Sequence, residues 1–223
     1  MPSVESRATR RTDPLSRDRL VQTAIEILDT DGEDALTFRS LAARLTTGPG
    51  AIYHHVASKR ELLRAATTVV VSSAVDGART PGEPLDTVRA LALAVFDAID
   101  AHPWVGTQLT REPWQFAVVQ LFEAVGVCLQ EYGLPKHARF DAVSALVNCV
   151  LGSAGQYAAA ARHLPRDTDR GLVLRSIARE WERLDPSDFP FMHAIAAGLD
   201  EHDDREQFLA GVDLVLAGIR TIR

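Results

Sequence analysis

The stretch Leu36–Leu63 holds two short apolar segments on either side of a break that a glycine and a proline impose. Thr37 is a good helix N-cap, and the apolar residues after it recur on one face, so a packed helix is predicted. Gly48 ends this helix, and Pro49 suits the first position of the next one, where a missing N–H costs nothing. Two short helices around a tight turn predict a helix-turn-helix, the unit that places a small helix in the DNA major groove.

The second short helix has an inner face and an open face. Ile52 and Val56 lie four residues apart and point inward. The open face begins with small residues, which let the backbone approach base edges, and ends with side chains that can donate to phosphates or bases. Its residues are Pro49, Gly50, Ala51, Tyr53, His54 and His55. The same pattern also fits a solvated face on an ordinary helical hairpin, and the pattern alone leaves that alternative open.

A capping box opens the third helix. Ser58 is followed three residues later by Glu61, an arrangement in which side chains satisfy free backbone N–H groups at a helix start. It places Lys59 in the first turn among those N–H groups and adds a cation to the surface.

The segment from Arg17 to Leu63 resembles the DNA-binding domain of the tetracycline-repressor (TetR) family of bacterial regulators. The resemblance is carried by Leu20, Ala24, Ile27, Leu28, Gly32, Leu36–Thr37–Phe38–Arg39, Ala51–Ile52–Tyr53, Val56, Ser58–Lys59 and Leu62–Leu63. By motif position it implies DNA contacts from Arg39, Pro49, Gly50, Tyr53, His55 and Lys59, with Thr37, Thr47, Ala51 and His54 as nearby candidates. The chain departs from the family in its turn, Thr46–Thr47–Gly48, where glycine and a small aliphatic residue are usual.

Length and charge indicate two domains. A chain of 223 residues can form a small and a larger domain, each with its own core. Residues 1–64 carry 10 Lys and Arg against 9 Asp and Glu, whereas residues 65–223 carry 14 against 21, so the excess of anions belongs to the second part. We expect a disordered basic arm at residues 1–14, the helix-turn-helix domain at 15–63, and a helical ligand-binding and dimerisation domain at 64–223.

The rest of the chain keeps the helical period, with no convincing strand. This predicts an all-α fold of about ten helices, with a short segment at Trp104–Leu109 and a helix that starts near Pro113. No apolar run approaches the roughly 20 residues of a membrane helix. The start of the chain shows no signal region, and Cys128 and Cys149 are expected to be reduced thiols within helices. A cytoplasmic protein with no membrane partner is therefore expected.

Two of the predicted helices combine glycines with apolar residues, the long one from Pro135 to about His163 and the last one at Arg205–Ile222. Each glycine lowers helix stability by roughly 1 kcal/mol relative to alanine, which makes sense where helices approach closely. The resemblance implies that these helices pair with their copies across a two-fold axis, forming the homodimer that two operator half-sites require. The interface residues would be Val147, Leu151, Gly152, Gly155, Gly211, Val212, Leu216, Gly218 and Ile219. Close packing within one chain is the alternative.

The middle helices carry aromatic and polar residues that could line a cavity for a small-molecule effector. The candidates are Phe96, His102, Trp104, Gln108, Trp114, Phe122, Asn148, Gln156, Tyr157 and Trp181. Aromatic residues at helical spacing more often form a plain core, which is the competing interpretation. The second half resembles the tetracycline-repressor-like C-terminal group. Near Gln108, however, it has no histidine where tetracycline-responsive members bind a metal, so a magnesium–tetracycline ligand is not implied.

Enzyme motifs are missing from the sequence, which has no Gly-rich phosphate loop, Gly-x-Ser-x-Gly elbow or His-Glu-x-x-His. His54 and His55 would point about 100° apart on a helix, so they cannot chelate one metal. We therefore expect no catalytic residues, no cofactor and no metal site. The predicted function is that of a ligand-responsive DNA-binding regulator, with a repressor favoured over an activator. The alternative is a helical ligand-binding or catalytic protein with an incidental helix-turn-helix.

Overall fold

A computed structural model describes residues 15–79, 81–163 and 169–222 of the chain. In these ranges it contains eleven α-helices and no strand, which confirms the predicted all-α class. The helices are α1 (Arg17–Thr30), α2 (Phe38–Arg44), α3 (Pro49–Tyr53), α4 (Lys59–Ala78), α5 (Pro84–Ala101), α6 (Pro103–Arg111), α7 (Phe116–Glu131), α8 (Lys136–His163), α9 (Arg170–Glu182), α10 (Pro190–Ala196) and α11 (Asp204–Thr221). The predicted basic arm at residues 1–14 lies outside the described residues.

The first of two compact units ends at Ala66 and contains α1, α2, α3 and the first turns of α4. Ser16 caps α1, and its hydroxyl accepts a hydrogen bond from the Arg19 N–H at 3.2 Å. The largest fully buried side chains of this unit are Leu20, Ile27, Leu36, Leu41, Ile52 and Leu62. They come from every helix of the unit, so one apolar core fixes α2 and α3 against α1 and α4.

The turn between α2 and α3 is a Schellman motif, a hydrogen-bonded arrangement that ends many helices. The Thr46 N–H donates to the Ala43 carbonyl at 3.3 Å, and the Thr47 N–H donates to the Ala42 carbonyl at 3.0 Å. Thr46 has a φ of 52°, and no other non-glycine residue in the described part of the chain has a positive φ. For a residue with a Cβ this left-handed conformation costs roughly 1–2 kcal/mol. The same motif ends α7, where Gly133 takes that position with a φ of 88°.

Thr46→Gly is therefore expected to raise the free energy of unfolding by about 0.5–1 kcal/mol, because relief of the left-handed strain exceeds the entropy that glycine loses on folding. Chemical denaturation of both proteins measures the difference. Thr47→Gly is the matched control, and it should destabilise the chain because φ at Thr47 is not positive. A Thr46→Gly protein less stable than the wild type would show that the turn is not strained.

The second unit begins at Thr67. Within it α5, α7 and α8 pack on one another, α6 lies against α8, and α11 packs on both α5 and α8. α9 packs on α10 and on a short 3-10 turn, Leu199–Glu201. No helix in the described ranges is long and apolar enough to cross a membrane.

Two helix boundaries in this unit differ from the sequence prediction. α7 begins at Phe116 rather than near Pro113, because the preceding residues form a turn in which the Gln115 N–H donates to the Glu112 carbonyl at 3.1 Å. The predicted short segment at Trp104–Leu109 is part of the nine-residue helix α6, which has Pro103 at its start. Proline at a first helical position explains why α6 can begin directly after α5 ends.

The seam between α5 and α11 combines an aromatic contact with two ion pairs. Phe96 and Phe208 stack with ring centroids 4.8 Å apart. The ion pairs are Arg89–Asp213 at 2.8 Å and Asp97–Arg205 at 2.9 Å. Their side chains are about half exposed, and such pairs contribute at most about 1 kcal/mol each. The buried aromatic rings therefore hold α11 on α5, and the ion pairs set its register.

Candidate nucleic-acid interface

A reciprocal cap fixes the start of α2. The Thr37 hydroxyl accepts a hydrogen bond from the Ser40 N–H at 3.0 Å, and the Ser40 hydroxyl accepts one from the Thr37 N–H at 3.0 Å. The predicted N-cap role of Thr37 is confirmed. Its side chain is exposed at the surface, and its hydroxyl oxygen is engaged in the cap.

α3 has only five residues, and its open face is free of bulk at the N-terminal end. Ile52 is its one buried residue, and Pro49 takes the first position after Gly48. Gly50 is exposed, and a Cβ placed on it would meet no other atom within 4 Å. Ala51 beside it is half-buried. A flat surface such as a base-pair edge can therefore come close to the α3 backbone here.

An aromatic pair supports the C-terminal end of α3. The rings of Tyr53 and Phe38 meet edge to face, with centroids 4.7 Å apart and an interplanar angle of 78°. Tyr53 is still 60% exposed, whereas Phe38 is half-buried. The Tyr53 side chain is thus largely exposed, while its ring packs against the ring of Phe38.

The start of α4 is capped differently from the predicted reciprocal box. The Ser58 hydroxyl accepts a hydrogen bond from the Glu61 N–H at 3.1 Å, as expected. The Glu61 carboxylate accepts one from the Ala57 N–H at 2.9 Å, one residue earlier than the box requires, and another from the Arg17 guanidinium at 3.1 Å. Glu61 thereby ties the start of α1 to the start of α4.

Lys59 has a structural partner that the sequence did not indicate. Its ammonium donates to the Glu33 carbonyl at 2.6 Å, in the short 3-10 turn that follows α1. The side chain is half-buried. An ammonium has three N–H groups, so this bond leaves donors that an anion could use.

The structure brings all ten predicted DNA-contact residues into the first unit. The exposed ones are Thr37, Arg39, Pro49, Gly50, Tyr53 and His54, and the half-buried ones are Thr47, Ala51, His55 and Lys59. His54 and His55 directly follow α3, and the His55 N–H donates to the Ile52 carbonyl at 2.9 Å. Sequence reasoning named Glu61 as a capping residue but missed its contact with Arg17, and it missed Phe38 and Glu33 as supporting residues. The helical position of Phe38 next to the cap was the available signal for one of them.

The ten predicted effector-site residues differ widely in burial. Phe96, Trp104 and Gln108 are buried, His102, Phe122 and Trp181 are half-buried, and Trp114, Asn148 and Gln156 are exposed. The Tyr157 side chain lies outside the described part of the structure. Trp114 is 86% exposed because it belongs to the turn between α6 and α7, so its assignment to an enclosed pocket is corrected. The exposed Asn148 and Gln156 likewise belong to the outer face of α8.

Two polar features near these helices were not predicted. Gln115 is buried, and its Nε2 donates to the Gln108 carbonyl at 2.9 Å, while its Oε1 has no hydrogen-bond partner among the described residues. A separate cavity of about 250 Å³ lies beside the start of α11. Its lining consists of Phe96, Asp97, Asp100, His202, Asp203, Asp204 and Arg205. Of the predicted effector-site residues it contains Phe96 alone.

Four of the five apolar side chains assigned to a dimer interface are core residues of the protomer. Val147, Val212, Leu216 and Ile219 are at most 3% exposed, since α8 and α11 turn these faces inward. Their assignment as direct partner contacts is corrected. Among the remaining candidates, Gly152 and Gly218 are exposed, and Leu151, Gly155 and Gly211 are half-buried.

Two of those glycines face other helices of the same chain. A Cβ on Gly155 would lie 3.2 Å from the Thr110 methyl group of α6. A Cβ on Gly211 would lie 3.7 Å from the Cys149 sulfur of α8. The first contact is tight and the second is ordinary, so Gly155 allows the close approach of α8 to α6.

No group of three His, Cys, Asp or Glu residues in the described chain could hold a metal ion. Cys128 and Cys149 are free thiols. Burial raises the pKa of both thiols, which keeps them protonated and makes them poor nucleophiles.

Comparisons with known proteins bear on the class of this fold. Residues 20–66 match the model of bacterial regulatory proteins of the tetR family, and residues 81–223 match the tetracyclin repressor-like C-terminal domain. The solved transcriptional regulator SCO7222, a TetR from Streptomyces coelicolor, is 49% identical, with a TM-score of 0.83 over 92% of this chain and 98% of that one. An HTH-type transcriptional regulator of Saccharopolyspora erythraea is 27% identical over 213 residues, 94% of this chain and 86% of the relative. ActR of Streptomyces coelicolor, solved in complex with actinorhodin, is 24% identical and shares the fold, with a TM-score of 0.75 over 93% of this chain and 96% of that one.

A helix-turn-helix unit followed by a second helical unit is the architecture of a DNA-binding transcriptional regulator. The chain belongs to the tetR family of bacterial regulatory proteins and is a transcriptional regulator with a DNA-binding domain. These relatives are regulators rather than enzymes.

Proposed function

We propose that the chain binds a palindromic operator as a homodimer and that a small molecule releases it from the DNA. The observation that carries the proposal is the open surface at Gly50, next to the exposed Tyr53 and His54. In this proposal α3 enters the major groove with Pro49, Gly50 and Ala51 against base edges. A bound dimer that overlaps a promoter excludes polymerase, which favours a repressor.

In this proposal the polar residues around α3 contact the phosphates of the DNA backbone. The best-placed donors are Arg39, Tyr53 and Lys59, with Thr37, Thr47, His54 and His55 as neighbours. Because Lys59 already donates to the Glu33 carbonyl, its ammonium direction is fixed before DNA arrives. A fixed donor loses less conformational entropy on binding than a free lysine side chain does.

Operator binding is expected to weaken steeply with salt, since each neutralised phosphate releases counterions. The duplex is one that the full-length chain enriches from a random-sequence pool, and affinity is measured by fluorescence anisotropy at several salt concentrations. Arg39→Ala should weaken binding to specific and nonspecific DNA alike. It should also reduce the slope of log affinity against log salt by about one for each phosphate that the arginine neutralises. Arg179→Ala, which removes an arginine from the last turn of α9, should change neither quantity.

Failure to enrich any duplex would overturn the proposal and favour a helical ligand-binding or catalytic protein. A salt-independent affinity would also contradict it, because phosphate contacts are then absent.

The exposed faces of α8 and α11 support a homodimer. Gly152 on α8 is exposed, as are Leu214 and Gly218 on α11, and Leu214 is 76% exposed. The two helices are adjacent here, since a Cβ on Gly211 of α11 would lie 3.7 Å from the Cys149 sulfur of α8. Small residues around one large apolar side chain suit the close packing of helices from two protomers. Pairing of these faces would supply the second half-site contact that a palindrome requires.

The second unit is the proposed effector sensor. The effector should be largely apolar and neutral or cationic, because residues 65–223 carry 21 acidic against 14 basic side chains. α4 continues from the first unit into the second, where the Ser72 hydroxyl donates to the Gln120 side-chain oxygen of α7 at 2.9 Å. An effector that prefers a different α4 position would change the spacing of the two α3 helices and release the operator.

Compounds that bind the native chain can be found by their stabilisation of it against heat. Each such compound is then titrated into the protein–operator complex. Release at concentrations that match thermal stabilisation supports the sensor role. Clear binding with unchanged operator affinity would show that the second unit is not an effector switch.

A further inference from the structure

We infer that Phe38 is a positioning residue for DNA binding, which holds the Tyr53 ring so that its hydroxyl meets a backbone phosphate. The inference rests on the proposed operator binding and assigns a role to a residue outside the DNA-contact set. Its basis is the edge-to-face contact of the two rings, with centroids 4.7 Å apart at an interplanar angle of 78°. Tyr53 keeps 60% of its surface exposed in this contact, so its hydroxyl remains available to a ligand.

α3 needs such support because it is short. A helix of five residues is far below the roughly 12–15 residues that are stable alone, so tertiary contacts must fix its side chains. Ile52 anchors α3 in the core, but Tyr53, the next and last residue of the helix, lies at the surface. The ring of Tyr53 is therefore supported by its contact with the ring of Phe38 on α2.

Phe38 is itself well placed to act as the fixed partner. It is the first residue of α2, directly after the Thr37–Ser40 reciprocal cap. Leu36 and Leu41 on either side of it are buried, with at most 1% of their surface exposed. The cap and the buried neighbours therefore fix the backbone at Phe38, and the edge-to-face contact restrains the Tyr53 ring against it.

A tyrosine held in this way binds phosphate with less loss of rotamer freedom. Immobilising one such side chain at an interface corresponds to about a twofold to tenfold loss of affinity, which the Phe38 contact avoids. A dimer on a palindrome uses the pair twice, so the expected loss without Phe38 is the square of that factor.

The test is a double-mutant cycle on operator affinity with Phe38→Leu and Tyr53→Phe in the full-length chain. Tyr53→Phe removes the hydroxyl and keeps the ring. Phe38→Leu should weaken binding by about fourfold to a hundredfold in the wild-type background and have little effect in the Tyr53→Phe background. The duplex is the one enriched by the wild-type chain. Phe38→Tyr, which keeps an aromatic ring, should restore most of the affinity.

The unfolding free energies of the same four proteins separate positioning from simple stability. A purely structural Phe38 would lower affinity equally in both backgrounds, and that additivity would overturn the inference. Phe191→Ala, which removes a 71% exposed ring from α10, is the control and should leave affinity unchanged. If the wild-type chain enriches no duplex, the proposed operator binding itself is refuted. If it enriches a duplex and the effects of the two substitutions on affinity are additive, only the role of Phe38 is refuted.

Discussion

Gly50→Glu is expected to weaken operator binding by about a hundredfold or more while the chain stays folded, because a like charge facing phosphates costs several kcal/mol. Inside the protein the substitution is tolerated. A Cβ at Gly50 meets nothing within 4 Å, and the residue is exposed in the first turn of α3. A glutamate there is also favoured by the helix dipole. The loss would therefore report on the groove alone.

Gly77→Glu is the matched control. Gly77 is an exposed glycine within α4 whose Cβ would also meet nothing within 4 Å, and it belongs to the second unit. Gly50→Glu should unfold at or above the wild-type temperature, since glycine is the poorer helix former. Gly77→Glu should unfold near the wild-type temperature, because Gly77 is in the last turn of α4, where the helix dipole opposes a glutamate. The comparison needs thermal unfolding curves and anisotropy titrations with the enriched duplex. Unchanged operator affinity in Gly50→Glu would mean that α3 does not enter the groove by this face.

Local signals in the sequence predicted the helix-turn-helix well. Thr37 caps α2, and Gly48 with Pro49 starts α3, as their side-chain and backbone chemistry dictates. The left-handed conformation of Thr46 could not be predicted, because a β-branched residue disfavours it. Here the hydrogen bonds of the Schellman motif override the preference of a single residue.

Contacts between distant residues could not be predicted from the sequence. Lys59 and Glu33 are 26 positions apart, and nothing in the pattern links them. Periodicity also could not say whether a glycine-rich helix face meets its own chain or a second copy. Gly155 packs closely against α6 of the same chain, whereas Gly152, three positions earlier, is exposed. The two glycines are neighbours on one helix surface, and only the packed structure separates their roles.

Leu216→Ala is expected to destabilise the protomer and Leu214→Arg to disrupt the dimer, and this difference tests the proposed dimer face. Leu216 is 2% exposed in the protomer core, so truncating it should lower the free energy of unfolding by about 2–5 kcal/mol. Leu214 is 76% exposed, so Leu214→Arg should leave the protomer fold intact. It should instead weaken the proposed dimer, because an arginine from each protomer would be desolvated in the interface.

Sedimentation velocity at micromolar concentration distinguishes the two results, with circular dichroism to report the fold. Leu214→Arg should sediment as a folded monomer and lose most operator affinity, since a monomer contacts one half-site. Leu172→Arg, at a 60% exposed position on α9, is the control and should remain dimeric. A dimeric Leu214→Arg protein with full operator affinity would place the interface elsewhere. The exposed glycines of α8 and α11 would then be unrelated to assembly, and their cost in helix stability would lack a reason.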